Sequence, residues 1–411
     1  MTYPRYLKTK LLQSISASPV VLLTGGRQTG KTTLVTEISK EKSFSFITLD
    51  NLRYLTAARE DPMGILESYK NPLIIDEVQR APEIGLPIKQ KVDENRHPGM
   101  YILTGSSNPL VAPKLNDSLA GRMFILHLWP LAQCEISGTQ TSILEMLFAP
   151  EWHPGKTFRW SKEEMIQRLI KGGYPTVQNQ SLAIQEDWFG NHIQTLLERD
   201  IYDLAQIRRT EELPSLLQLL ANRSGSLLNI SELSRSTKIP HATLTFYLTL
   251  LEAMYLIIRQ PAWHKNATKR MTKAPKIYLT DPGIASFLIG ADEKRLFSNP
   301  NLTGSLLETF VIMEIEKLLS WSSLRLQTFH YRTVSGIEVD LLLETKAGDV
   351  VGIEIKSSET IRGDDFKGLR TLKEELGTSF IRGIVLYPGD EVVPFGENLF
   401  AVPISALFRS T

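Results

Sequence analysis

Only one cysteine, Cys134, occurs in 411 residues. One thiol cannot build a disulfide framework or a multi-cysteine zinc site within the chain, and a cytoplasmic address fits that scarcity. Cys134 reads as a small core residue rather than a nucleophile. Net charge is nearly absent at +1. No global field therefore draws the chain to nucleic acid or membrane, and any such affinity must come from local patches. Long apolar runs are also missing. The stretch from Ala253 to Ile258 is far short of a bilayer span, and no signal-like run follows the first residues, so no membrane partner is expected. There is no internal repeat and no low-complexity tract.

What remains is an ordinary globular balance, 42% apolar and 22% charged. A chain of this length predicts about two to four domains. Residues 1–135 alternate short apolar runs with amphipathic segments. Val20 to Leu23, Phe46 to Leu49, Leu73 to Ile75, Tyr101 to Leu103 and Met123 to Leu128 read as buried strands, which predicts an α/β fold with a parallel sheet. Residues 136–210 read as a helical lid, broken at Gly172-Gly173-Tyr174-Pro175. Residues 211–285 read as short helices followed by a basic, strand-like stretch. Gly290, Asn299, Pro300 and Gly304 suggest a linker over 286–303. Residues 300–411 read as a second, smaller α/β unit.

Gly25-Gly26-Arg27-Gln28-Thr29-Gly30-Lys31-Thr32 has the full G-x-x-x-x-G-K-[ST] spacing, with a strand before it and a helix after it. The glycines let backbone N–H groups face phosphates at the positive end of a helix. Gly25 through Thr33 are the candidate ATP contacts. Lys31 would reach the β- and γ-phosphates, and the Thr32 hydroxyl would ligate Mg2+. Pro72-Leu73-Ile74-Ile75-Asp76-Glu77 is a strand ending in two carboxylates. Asp76 would hold magnesium through water, and Glu77 would polarise the attacking water. Tyr101-Ile102-Leu103-Thr104-Gly105-Ser106 is a further strand ending in hydroxyls. Ser106 is the candidate sensor of the γ-phosphate, with Thr104 second.

These motifs, with Asp76-Glu77-Val78-Gln79-Arg80, Ser118-Leu119-Ala120-Gly121-Arg122 and Glu198-Arg199-Asp200-Ile201, resemble a widespread prokaryotic family. Its members are AAA+-related P-loop ATPases whose C-terminal half was long catalogued as a domain of unknown function. Gly26 departs from the proline that many relatives carry. The resemblance implies a Gly-x-Pro element in the lid that touches the nucleotide base, for which Pro175 is the match. Arg122 and Arg199 are the candidates for an arginine finger, acting in cis or from a neighbouring subunit. The resemblance leaves the oligomeric state open between a homo-oligomeric ring, common among relatives with AAA+ cores, and a resting monomer of the switch type.

Ile230 to Ile239, the turn at Pro240-His241, and Ala242 to Tyr255 have helix-turn-helix spacing. The segment after them carries Arg259, Lys265, Lys269, Arg270, Lys273 and Lys276 around Trp263, with no acid from Ala253 to Thr280. This reads as a winged helix, with DNA as the expected partner of residues 241–276 and of the C-terminal domain. The bland alternative is a packing module, since His241, Thr243, Thr245 and Thr249 hold no arginine.

In the C-terminal part, Glu308 lies on a helix, Asp340 in Glu338-Val339-Asp340, and Glu354 and Lys356 in Glu354-Ile355-Lys356. Period-2 alternation puts Glu354 and Lys356 on one sheet face, and a hairpin at Lys346–Asp349 would bring Asp340 opposite them. Magnesium on Asp340, Glu354 and Glu308 would balance the charge, and Lys356 would position or activate a water. The set looks like the PD-(D/E)xK nuclease pattern, many of whose members bind without cutting. The expected function is an ATP-hydrolysing enzyme acting on DNA with a metal-dependent nuclease-like domain. The alternative is a nucleotide-dependent switch whose C-terminal domain binds a partner without cutting.

Overall fold

The computed structural model describes residues 3–69, 72–106, 117–152, 160–201 and 211–408, without the side chains of residues 199, 200 and 267. The chain divides into two compact units, Met1–Leu131 with Leu250–Leu256, and Ala132–Thr249 with Ile257–Thr411.

In the first unit the apolar runs become five parallel strands. They are β1 (Val20–Thr24), β2 (Ser45–Thr48), β3 (Leu73–Asp76), β4 (Tyr101–Gly105) and β5 (Met123–His127). Their order is β2-β3-β4-β1-β5. Strands β1, β3 and β4 are buried at every position, as expected of a sheet covered on both faces. One core cluster joins Val20, Leu22, Ile75 and Leu103 to Ile88 and Val92 of the helix Gly85–Glu94. The order sets β4 between β1 and β3, so the phosphate loop, the Asp76-Glu77 pair and the Thr104/Ser106 hydroxyls all leave neighbouring carboxyl ends. The strand at Met123 is a correction. It pairs only with β1 at the sheet's edge, and Phe124 and Ile125 are about half exposed rather than buried.

The second unit contains a three-stranded antiparallel sheet and a six-stranded mixed sheet. Helices Leu213–Asn222, Ile230–Thr237 and, up to Thr249, His241–Ala253 accompany β6 (Ser226–Leu227), β7 (Ile257–Gln260) and β8 (Lys276–Leu279), ordered β6-β8-β7. The basic stretch is not one strand, because the helix Ala267–Thr272 interrupts it, capped by the Asn266 side chain. Trp263 is buried in the C-terminal core and donates to Glu344 at 3.0 Å.

The expected linker at 286–303 is helical. Asp281, Asp292 and Asn299 each cap a helix, at Pro282–Leu288, Glu293–Ser298 and Pro300–Trp321, and proline opens two of them. The proline and asparagine that read as breakers are helix-start signals here.

The larger sheet comprises β9 (Leu326–Arg332), β10 (Glu338–Thr345), β11 (Val350–Ile355), β12 (Phe380–Tyr387), β13 (Val393–Pro394) and β14 (Leu399–Pro403). Its order is β13-β14-β12-β11-β10-β9. The hairpin at Lys346–Asp349 forms as the period-2 pattern predicts, with Leu341 opposite Ile353. The β9–β10 register slips between Val339 and Leu342. That bulge falls at Asp340 and re-aims its side chain. The helix Lys367–Leu376 covers the sheet, and a Cβ at Gly368 would stand 2.1 Å from the Glu338 carbonyl oxygen, so only glycine lets it pack so closely.

Candidate nucleotide site and C-terminal carboxylate centre

The loop after β1 takes its shape from backbone that other residues adopt poorly. Gly25 has φ 152° and Gly30 φ 98°. A Cβ at Gly25 would lie 2.2 Å from the Leu128 carbonyl oxygen. Gly30 is the N-cap of the helix Lys31–Lys42, so the loop meets the helix at its positive end. The buried Lys31 ammonium donates to the carbonyls of Gly25 at 2.8 Å and Gly26 at 2.9 Å. The Thr29 hydroxyl donates to Gly26 O at 2.9 Å. Arg5 donates to the carbonyls of Thr29 at 2.6 Å and Trp129 at 2.7 Å, bracing the loop from outside. No motif marked Arg5.

The strand tips form one network. The Thr32 hydroxyl donates to Asp76 Oδ1 at 3.0 Å. The Thr104 hydroxyl donates to the same Oδ1 at 2.6 Å and accepts from the Glu77 N–H at 3.1 Å. Glu77 has left-handed backbone, φ 60°. The Gln79 carboxamide donates to the Glu77 carboxylate and, at 2.9 Å, to the Ser106 hydroxyl. Thus Lys31, Thr32, Asp76, Glu77, Thr104 and Ser106 come together. Gln79, which links two of them, carried no signal beyond its place in Asp76-Glu77-Val78-Gln79. The Thr32/Asp76 oxygens and the helix N-terminus that begins at Gly30 fit a magnesium–nucleotide complex, with hard oxygen donors for the metal and a positive helix end for phosphate.

His127 ends β5, half-buried between Trp129 and Tyr255 with ring centroids 3.9 and 4.1 Å away. Burial, and secondarily the Lys31 charge, push its imidazole down to about 3, so it is neutral at physiological pH. The Tyr255 hydroxyl shares a 2.6 Å hydrogen bond with Thr24.

Other expected positions fall elsewhere. Arg122 makes a paired bond to Asp93, from Nε at 2.7 Å and Nη2 at 2.9 Å. The side chain of Arg199 lies outside the described residues. In the second unit, Gly173 N–H donates to buried Asp281 at 2.7 Å, and Pro175 opens the short helix Pro175–Val177 next to buried Tyr174.

The C-terminal acids converge, but on a lysine. The Lys276 ammonium, delivered by β8, lies 2.8 Å from Glu308 Oε1 and 3.3 Å from Asp340 Oδ1. Tyr278, two residues along the same strand face, donates to Glu308 at 2.7 Å. Lys356 donates to Glu354 Oε1 at 2.7 Å. Asp340 Oδ2 accepts from Ile355 N–H at 3.0 Å. Glu354 Oε2 is buried with no hydrogen-bond partner among the described residues. Burial and then the Asp340 charge push Glu354 up to about 8, with Lys356 opposing. Burial raises Glu308 too, as does Asp340, against Lys276. Among the described residues no group of three His, Cys, Asp or Glu side chains is placed to hold a metal ion. The ligand set expected from Glu308, Asp340 and Glu354 is therefore not assembled in this arrangement, because Lys276 stands between two of its members. Along the chain Lys276 belongs to the basic stretch that begins at Arg259. Only the strand register turns it inward.

Residues 17–137 match the family described as an AAA domain. Residues 162–295 and 303–407 match two families each described as a domain of unknown function, DUF8612 and DUF4143. An uncharacterized protein of Mycobacterium tuberculosis is 29% identical over 404 residues, covering 98% of this chain and 83% of the relative. An uncharacterized protein of Haemophilus influenzae is 24% identical over 199 residues, 46% of each chain. Among solved structures, a Walker-type ATPase of Pyrococcus abyssi is similar at 17% identity, over 68% of this chain and 94% of that one, with a TM-score of 0.41. The RuvB Holliday junction branch migration motor of Thermotoga maritima is similar at 19% identity, with 65% and 94% coverage and a TM-score of 0.30. No helix among the described residues is long and apolar enough to cross a membrane. With that match over residues 17–137 and a complete phosphate loop inside it, the chain carries an AAA-type ATPase domain.

Proposed function

We propose that the protein is a nucleotide-state switch in which ATP binding and hydrolysis in the AAA domain control how the second unit grips a partner, without that unit cutting it. The observation that carries this reading is the chain from Thr32 through Asp76, Thr104, Glu77 and Gln79 to Ser106. A chain of this kind ties the group that meets a γ-phosphate to the group that activates water. Magnesium bound with ATP supplies neutralisation of the β- and γ-phosphate oxygens. Lys31 leaves its carbonyl partners for those oxygens. Glu77 takes a proton from water as the water oxygen bonds to the γ-phosphorus. The bond to the β–γ bridging oxygen breaks, leaving ADP and phosphate.

Two basic residues weigh for the switch over a DNA-processing enzyme. Arg270 is spent on Glu344, at 2.6 and 2.8 Å, and Lys276 on Glu308 and Asp340. The expected basic wing is thereby depleted. DNA contact stays as a second reading, supported by the winged-helix order of elements and by exposed His241, Thr245, Thr249, Lys265 and Lys269. Self-association into a ring belongs to the same proposal, with Arg199 or Arg122 as the finger.

The test is steady-state ATP hydrolysis with and without single-stranded, duplex and branched DNA, with DNA integrity followed in Mg2+ or Mn2+. Turnover indifferent to DNA, with the DNA left whole, is the expected result. DNA-stimulated turnover, with cleavage that is lost in Glu354→Gln and in Lys356→Ala, would overturn the switch in favour of an ATP-coupled nuclease.

A further inference from the structure

The order helix-Glu308, strand-Asp340, strand-Glu354-x-Lys356 leads one to look for a divalent metal ion. The side chains around those acids disagree. An oxygen-ligated magnesium or manganese ion needs its donors at about 2.0–2.2 Å, in a near-octahedral set that retains waters. The space between Glu308 and Asp340 instead holds a buried ammonium at 2.8 and 3.3 Å from their oxygens. These are hydrogen-bond lengths. An ion bonded to the same two oxygens would sit against Nζ, and two cations at that range in a buried site repel strongly.

We infer that Lys276 is the resident cation of the C-terminal carboxylate centre, and that the centre takes no divalent ion while Lys276 is in place.

Several features make this a built arrangement and not a chance approach. Lys276 and Tyr278 share one face of β8, by the period of two, and both reach Glu308 Oε1. The bulge in β10 falls at Asp340, which spends its second oxygen on the Ile355 amide. Burial favours loss of the lysine's proton, but the Glu308 and Asp340 charges outweigh it and hold the ammonium charged. Lys356, the remaining cation of the set, is already bonded to Glu354. Withdrawing Lys276 would leave two largely covered carboxylates facing each other, with the unpartnered Glu354 Oε2 beside them. Buried charge of that kind demands a counter-cation. The centre is therefore a latent site for a hard divalent cation, closed by a lysine borrowed from the three-stranded sheet. This inference goes beyond the switch reading and does not depend on it, since it concerns metal occupancy alone.

The test is Mn2+ titration of the nucleotide-free full chain, with free Mn2+ read by electron paramagnetic resonance. All proteins carry Asp76→Asn, so that the phosphate loop contributes no metal. With Lys276 intact, no Mn2+ dependent on Asp340 should bind. Lys276→Met should gain one Mn2+ at least about tenfold tighter than any in the parent, and adding Asp340→Asn should remove it. Lys276→Arg, which keeps the charge, should stay metal-free. The inference is overturned if the parent binds an Mn2+ that Asp340→Asn abolishes, or if folded Lys276→Met binds no more than the parent. Should Lys276→Met fail to fold by circular dichroism, the parent measured with and without Asp340→Asn still decides. Metal held through Asp340 sinks the idea, and equal binding in the two supports it.

Discussion

The Gln79 carboxamide donates one N–H to the Glu77 carboxylate and another to the Ser106 hydroxyl. The residue proposed to activate water and the residue proposed to meet the γ-phosphate are thus held by one planar group. Gln79→Ala should lower kcat for ATP by about 10–100-fold and leave KM nearly unchanged, because misplacing a catalytic group costs rate and not ground-state binding. Steady-state kinetics checks this. An unchanged kcat would remove Gln79 from the machinery.

Lys31 spends its charge on the carbonyls of Gly25 and Gly26 in this arrangement. Lys31→Ala should reduce ATP turnover by at least about 100-fold, since in the proposed reaction it removes the positive charge that moves onto the transferring phosphate. Retained turnover in purified protein would move the nucleotide site elsewhere.

Thr104 is fully buried and serves both Asp76 and Glu77. Thr104→Val keeps the shape but leaves the Glu77 N–H without its acceptor. The expected loss of stability is about 1–3 kcal/mol, read as a lower urea midpoint with unchanged slope, together with a fall in kcat. A variant as stable and as active as the parent would show that the strand-tip network carries no energy.

His127 gives the fold an acid sensitivity with a definite sign. Its folded pKa, about 3, lies below its ordinary 6.5, first through burial and then through the Lys31 charge. Between those values the unfolded chain binds the extra proton, so this group's contribution is intact above about pH 6.5 and is lost as pH falls toward 3. His127→Phe should flatten the decline of the melting temperature of the first unit over that window. A decline as steep as the parent's would assign it to other groups.

Much of the nucleotide site was legible from sequence, because its chemistry is local. A strand, a glycine turn needing positive φ at Gly30, and a helix start at Lys31 are contiguous, so spacing alone specifies them. The tips of β3 and β4 were legible for a similar reason, since a buried apolar run that ends in Asp76-Glu77 or in Thr104–Ser106 marks a carboxyl end. Helices at Pro282, Glu293 and Pro300 were misread because Asp, Asn and Pro serve both turns and N-caps, and tertiary packing decides between the two. The β5 strand was misread because an apolar run does not say which strand lies at the edge.

The sequence by itself determined the AAA domain, the parallel sheet and the identity of the residues around the phosphate loop. The tertiary structure alone decided which cation faces Glu308 and Asp340. Lys356 is two residues from Glu354 and could be paired with it from the strand period. Lys276 is 32 positions from Glu308 and 64 from Asp340. Nothing along the chain distinguishes it from Lys265, Lys269 or Lys273. Its inward turn comes from the register of β8 against β6 and β7 and from the packing of that sheet on the helix Pro300–Trp321, long-range relations that no local pattern encodes.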